Sequence, residues 1–348
     1  MTPTGASPIA VSALDARSIT RWTLASRIAV AVALPLVVAI AFGPAYLSAN
    51  VIDKLTTLFI YILLAVTWNA LAGYGGLISI GQQGFFGLGA YATVRLADAG
   101  LTPYPALFVG AGLIALFAYL ISFPMLRLRN GELGIGLWVL AELMHLIVNL
   151  DSLVQGETGT SLIALNAFSI EARRAYTYWA ALGAVAGLII LLFILLRGPV
   201  GTAIQAIRDN EEAAASVGVR VKSTRRLIFV VASLGAALAG ALWLASATTF
   251  QPKAYFGVQW TAYMIFMVLV GGLGTFEGAI VGAVIFFLIE AWFGAFGVWY
   301  LIGLGTTALV FALFVPKGLW GLISSKFDLQ LLPLGYRVAL PSLGRSNR

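Results

Sequence analysis

The chain contains no cysteine, so it can form no disulfide, offer no thiolate to a metal and use no cysteine nucleophile. His145 is the single histidine, which rules out a cluster of histidine ligands. Charged residues make up only 10% of the 348. A catalytic or metal centre would need several titratable side chains close together, and Glu142 with His145 is too thin a constellation for one. We therefore expect no enzyme, no metal site and no cofactor bound by this chain. A phosphate loop of the form G-x-x-x-x-G-K-[ST] is missing around Lys54, Lys222, Lys253, Lys317 and Lys326, so ATP is not cradled in that way. The net charge of +7 comes without a basic patch interleaved with exposed aromatics, which argues against nucleic acid.

What the chain has in abundance is apolar length. Hydrophobic residues make up 60% of it and the mean hydropathy is +0.96, outside the range of soluble domains. Apolar runs occupy 28–47, 55–72, 77–97, 104–125, 133–150, 175–196, 227–248, 258–272, 275–290 and 298–315. Each approaches the ~20 residues needed to cross a ~30 Å hydrocarbon layer. The fold class expected is all-α, a polytopic membrane bundle of about ten helices. The range is eight to ten, because 258–272 is short and the glycine-rich joins can be re-entrant. The first run is too long for a signal core and lacks a clear small-x-small cleavage site, so it reads as an uncleaved span.

Alternating sides along this order puts 16 basic residues on one side, among them Arg17, Arg21, Arg27, Arg127, Arg129, Lys317 and Lys326. Five fall on the other: Lys54, Arg95, Arg173, Arg174 and Lys253. The positive-inside rule then makes both termini cytoplasmic. The domain reading is a cytoplasmic N-terminal segment 1–27, a membrane domain 28–322 and a cytoplasmic tail 323–348. Residues 151–174 form the longest external loop, either a solvated loop or a docking surface.

One segment, 197–226, is a soluble island that holds nine charged side chains. From Gly201 to Val217 it reads as one short helix, since Ala203, Ile204, Ile207, Ala214 and Val217 recur at helical spacing. Arg208, Asp209, Glu211 and Glu212 fill the other face, which leaves an apolar face free to dock. Gly198-Pro199 separates it from the preceding span, and Gly218 stands where a left-handed cap is needed. Glu212-Ala213-Ala214, three residues, then Gly218 resembles the EAA-x-x-x-G coupling loop of ABC importer permeases. The run from Ala203 to Glu211 is similar to the form found in branched-chain amino-acid permeases of the LivM type. The resemblance implies that Thr202, Ala203, Ile207, Arg208, Glu211, Glu212, Ala213, Ala214 and Gly218 couple to an ATPase subunit.

Residues 73–92 carry seven glycines, at 73, 75, 76, 81, 84, 87 and 89. Glycine costs about 1 kcal/mol relative to alanine in a helix, so they need a reason. Close helix packing is one. A broken helix beside a water-filled path is another, with Ser79, Gln82 and Gln83 next to the break. This block resembles the family's G-Y-x-G-x-x-S-L-G-H-x-A-F-F-G-x-G-A-Y signature. A third block, 127–164, is similar to R-x-R-G-x-Y-F-A…E-I-x-R…T-G-G-x-x-G through Arg127, Arg129, Gly131, Glu142, Gly156 and Gly159. It departs where His145 replaces the usual Arg and Glu157 interrupts the paired glycines. Residues 271–283 and 315–319 resemble the family's last glycine join and its closing F-P-x-G-L turn.

Glu142 sits near the middle of a span, where an unpaired charge costs at least ~2.5 kcal/mol. It is expected to face the bundle interior beside His145, three residues on, as a structural pair or as lining of the substrate path. Asn149 continues the stripe. Glu277 and Glu290, nearer helix ends, are expected to meet headgroups or water. The resemblance implies the permease subunit of an ABC importer in a bacterial inner membrane. Its partners would be a second homologous permease, two ATPase subunits that use ATP, an extracytoplasmic substrate-binding protein and membrane lipid. The substrate class is branched-chain amino acids or related small amino acids and amides. The alternative is an ion- or proton-coupled secondary transporter with Glu142 as its coupling site.

Overall fold

The computed structural model describes residues 19–20, 24–128, 130–327, 331–332 and 337–338. Most of 1–27 and 323–348, together with Arg129, lies outside them. The elements in order are β1 (Ile19–Thr20), α1 (Leu24–Ala41), α2 (Ala49–Asn69), α3 (Gln82–Asp98), α4 (Pro103–Met125), α5 (Asn130–Asn149), β2 (Thr160–Ser161) and α6 (Ile170–Arg197). Then come α7 (Pro199–Asp209), α8 (Glu211–Ser216), α9 (Val221–Ala247), β3 (Thr249–Phe250), α10 (Pro252–Tyr255), α11 (Gln259–Gly271), α12 (Phe276–Phe293), α13 (Val298–Phe314), α14 (Gly318–Phe327) and β4 (Arg337–Val338).

Each of the ten apolar runs forms a helix. Among the described residues, eight helical stretches are long and apolar enough to cross a membrane: α2, α4, α5, α6, α9, α10 with α11, α12, and α13 with α14. The apolar part of α1, Ser26–Ala41, is shorter than the expected 28–47, and α3 has 17 residues. The fold is thus an all-α polytopic bundle. Its strands are two-residue pairs, β1 with β4 and β2 with β3.

The centre of the bundle is α2 and α9, which touch one another. α3 and α4 pack on α9, α6 and α12 on α2, and α11 on both α12 and α2. Lipid tails are as apolar as leucine, so helices in a bilayer gain little by burying leucine against leucine and associate instead through close van der Waals fit. The α3–α9 contact shows this directly. A side chain at Gly89 would run into the Ala237 carbonyl, and one at Gly240 into the Phe86 carbonyl. Close packing is therefore what the glycines of α3 serve.

Polar side chains finish the helix starts. Ser169, Asn210 and Thr275 accept the N–H groups of Ala172, Ala213 and Gly278 at 3.2, 3.0 and 3.1 Å, capping α6, α8 and α12. The loop between α5 and α6 is pinned rather than free. Asp151 accepts from the Arg95 guanidinium and the Tyr91 hydroxyl of α3. β2 pairs with β3, and Val154, Leu162 and Leu165 are buried beneath.

The two acids expected to meet headgroups or water have protein partners. Glu290 accepts the Tyr61 hydroxyl of α2, and Glu277 accepts the backbone N–H groups of Leu331 and Leu332 at 3.0 and 2.7 Å. Partners that far away in sequence leave no trace in the local pattern.

If the α3–α9 approach holds the centre together, Gly240→Val should destabilise the purified protein by about 1–3 kcal/mol through overpacking. The readout is a lowered thermal midpoint. An unchanged midpoint would show that this contact relaxes freely.

Candidate functional site

The island folds as two helices and not as the single helix expected over Gly201–Val217. α7 ends at Asp209, Asn210 is extended at φ −157 and ψ 108, and α8 begins at Glu211. Asn210 breaks the helix because its side chain takes the Ala213 N–H, a bond that only a residue outside the helix can make. Gly218 has φ +89, the left-handed cap that the sequence called for. Its N–H reaches Ala215 O at 3.0 Å, and the Val219 N–H reaches Ala214 O at 3.1 Å.

The apolar face is not free. Ile204, Ile207 and Ala214 are 0%, 2% and 3% exposed, because α7 lies against α6 and α9 and α8 against α9. Ile207 and Ala214 thus seat the helix pair on its own subunit. A stripe of apolar residues tells that a face is covered but not by what. The outer face carries Thr202, Asp209, Glu212, Ala213 and Val217, all exposed, while Ala203 and Glu211 are half-buried. Beside α8 opens a cleft of about 580 Å³, bordered by Asn210, Glu212, Ala215, Lys222 and the start of α5. Arg225 at its wall pairs with Glu211 at 2.9 Å.

Arg208 belongs to neither face. Its Nη1 donates to the Gly73 carbonyl at 2.9 Å, while its other nitrogens bridge to Asp209. Gly73 lies in a π-turn, Ala70–Tyr74, that ends α2. Such turns free carbonyls from the helical ladder, and this one is received by the guanidinium.

Of the residues assigned to the substrate path, Ser79 in the α2–α3 connection and Gln82 and Gln83 at the start of α3 are all buried. Ser79 Oγ accepts the Gly81 N–H at 3.3 Å, and the Trp68 indole donates to Ser79 O at 3.0 Å. Gln83 accepts the Thr261 hydroxyl of α11. Gln82 has neither amide atom bonded within the protein.

Glu142 does not face the interior. Its side chain is 58% exposed on the isolated subunit. It does pair with His145, Oε1 to Nδ1 at 3.2 Å, and the opposite ring nitrogen of His145 lies 2.8 Å from Glu157. Asn149 donates to Glu157 at 2.6 Å, the Lys253 N–H does so at 2.9 Å, and the Phe256 ring stacks on the imidazole at 5.5 Å. The sequence reading missed Glu157, Lys253 and Phe256. The signal available was Glu157 itself, a charge where glycine was expected. The glutamines are buried and Glu142 is exposed, although the helices that carry them, α3 and α5, pack directly on one another.

Burial by itself would raise the Glu157 carboxyl, but the bonds from Asn149, the Lys253 N–H and His145 outweigh it and hold the group below the usual carboxylate range. A depressed pKa contributes stability that is present above the unfolded value, about 4.3, and is lost as pH falls through the folded one. Hydrogen-exchange protection of residues 153–165, corrected for the intrinsic rate, should hold at neutral pH and fall on acidification below that value. Glu157→Gln should lower it already at pH 7. Equal protection in the variant would mean that the charge does not hold the loop.

Comparisons with known proteins agree with this architecture. A family model described as the branched-chain amino acid transport system / permease component matches residues 50–316. The high-affinity branched-chain amino acid transport system permease protein LivM of Escherichia coli is 26% identical over 311 residues, covering 82% of this chain and 73% of that one. Its Salmonella typhimurium counterpart is 27% identical over the same shares. A probable branched-chain amino acid transport permease protein LivM of Methanocaldococcus jannaschii is 26% identical over 246 residues, 65% of this chain and 70% of its own. With its apolar spans and a match across most of its length, the chain belongs to the branched-chain amino-acid transport permeases of the LivM type, multi-pass proteins of the bacterial inner membrane.

Proposed function

We propose that the chain is one permease subunit of an ATP-driven importer, and that α7 and α8 take up the motion of an ATPase subunit. One observation carries this reading. The helix pair is anchored inward through Ile204, Ile207 and Ala214, while Thr202, Asp209, Glu212, Ala213 and Val217 form an exposed outer face. An element gripped on one side and open on the other can pass a displacement from a partner to the bundle. The excess of basic residues on that side supports a cytoplasmic placement, where ATP is available. Each of two permeases then carries one such pair against one of two ATPases. ATP binding closes the ATPases and the paired bundles alternate their access.

The second permease is supported by Glu142. A carboxylate within a span and exposed on the isolated subunit is costly against lipid, and a homologous partner covering α5 would remove it from the tails. The pinned loop 150–169 offers a substrate-binding protein a firm surface on the opposite side. The substrate that fits the relatives is a branched-chain amino acid or a related small amino acid or amide. No cofactor is assigned to this chain, since ATP is consumed by the partners.

The test uses the outer face, since Ala214 is buried and Ala214→Glu would damage the subunit's own core. Ala213→Glu and Val217→Asp put a charge into the proposed contact, where an unpaired charge costs several kcal/mol. Both should insert normally yet lose co-purification of the ATPase subunits and uptake into vesicles. Normal association in both would remove the reading. Orientation is checked separately, since the chain has no native cysteine. Ser216→Cys should escape an impermeant thiol reagent in intact cells and react in inverted vesicles. Labelling in intact cells would reverse the topology.

A further inference from the structure

Asn69 closes a joint between two helix breaks that lie far apart in sequence. It is fully buried at the end of α2, where the π-turn begins. Its Nδ2 donates to the Thr275 carbonyl at 2.8 Å, and its Oδ1 accepts the Gly274 N–H at 2.8 Å. One side-chain amide thus bonds a donor and an acceptor of the backbone join between α11 and α12. Four residues on, Gly73 gives its carbonyl to Arg208 of α7. The fit leaves no slack, because a side chain at Gly73 would strike the Asn69 amide oxygen, and its Cβ would lie 2.6 Å from the Gly274 nitrogen. α7 therefore grips the π-turn, and the π-turn grips the start of α12.

We infer that Asn69 is a positioning residue for transport: it makes the π-turn of α2 and the Gly272–Thr275 join move as one body, so that a displacement of α7 through Arg208 reaches α2 and α12 together. This rests on the proposed role of α7 and α8 and adds the route by which their motion enters the bundle. A helical hydrogen-bond ladder would resist such motion. A π-turn and a glycine join are the places where a span bends with least loss of bonding. Two flexible points bend together only if something ties them, and the buried amide is that tie. Both of its bonds are 2.8 Å long and the Asn69 side chain is fully buried, so the tie is shielded by the protein itself.

The experiment is carried out on the whole reconstituted transporter in proteoliposomes, with substrate uptake and ATP hydrolysis measured on the same preparation. Asn69→Ala should leave ATPase association and hydrolysis in place while uptake drops, which raises ATP consumed per substrate by about tenfold, within the range of coupling free energies. Asn69→Asp keeps the acceptor for the Gly274 N–H but sets a carboxylate oxygen against the Thr275 carbonyl, so its ratio should rise at least as far as that of Asn69→Ala. Arg208→Ala lies at the exposed end of the same route and endangers folding least. It should raise the ratio as well.

A proportional fall of uptake and hydrolysis in the Asn69 variants, leaving the ratio at the wild-type value, would overturn the inference and make Asn69 a packing residue. Wild-type uptake in Asn69→Ala would overturn it too. Loss of the ATPase from Ala213→Glu together with an unchanged ratio in Asn69→Ala would keep the proposed function and remove only this route. Should the Asn69 variants not assemble, an unchanged ratio in Arg208→Ala would overturn the route by itself.

Discussion

A polypeptide inside a bilayer has no water to bond with, so every N–H and C=O that leaves a helical ladder must find a partner in the protein. The rest of this structure depends on how that demand is met at two interruptions: the π-turn after α2 and the Gly272–Thr275 join. Thr275 Oγ1 caps α12 and Asn69 satisfies the join with both ends of its amide. Arg208 takes the carbonyl freed at Gly73. With these bonds made, the spans can break without exposing bare backbone. The glycines at the breaks let the backbones come close enough for the bonds to form.

Much of this was legible in the sequence. The apolar runs became helices, the glycine blocks became close contacts, the cap at Gly218 took its left-handed form, and Glu142 lies against His145. The break at Asn210 was hidden by a helical spacing that continues across it, since a period reports a face and not the continuity of the backbone. The sequence Asn-Glu-Glu did hold the information, as an N-cap followed by acids in a first turn, but the apolar stripe outweighed it. The direction of that stripe was not legible. Ile207 and Ala214 need burial, and burial against the subunit itself or against a partner requires the same composition.

The acids show the same limit from another side. Glu142 was placed inward because a charge in a span must be relieved, yet relief came through His145 on the flank of the subunit. Glu290 was placed near water by its position at a helix end, yet it is bonded to Tyr61 across the bundle. Local position constrains how much a charge costs. The partner that offsets the cost is set by tertiary contacts that no window of sequence contains.

The departures at His145 and Glu157 are instructive for the same reason. Taken singly, each weakens the resemblance in the block from 127 to 164: a histidine stands where an arginine is usual, and an acid interrupts paired glycines. In the structure they are neighbours at 2.8 Å, with Asn149 and the Lys253 N–H completing the carboxylate's bonds. The acid also ties α5 to the start of α10. The two departures meet in space, and the Glu157 carboxylate gives the half-buried imidazole a partner on its second ring nitrogen. Both departures sit at one end of α5, and neither bonds to Ser79, Gln82 or Gln83. The joint that ties α7 to α2 and α12 rests on different residues, Asn69 and Arg208.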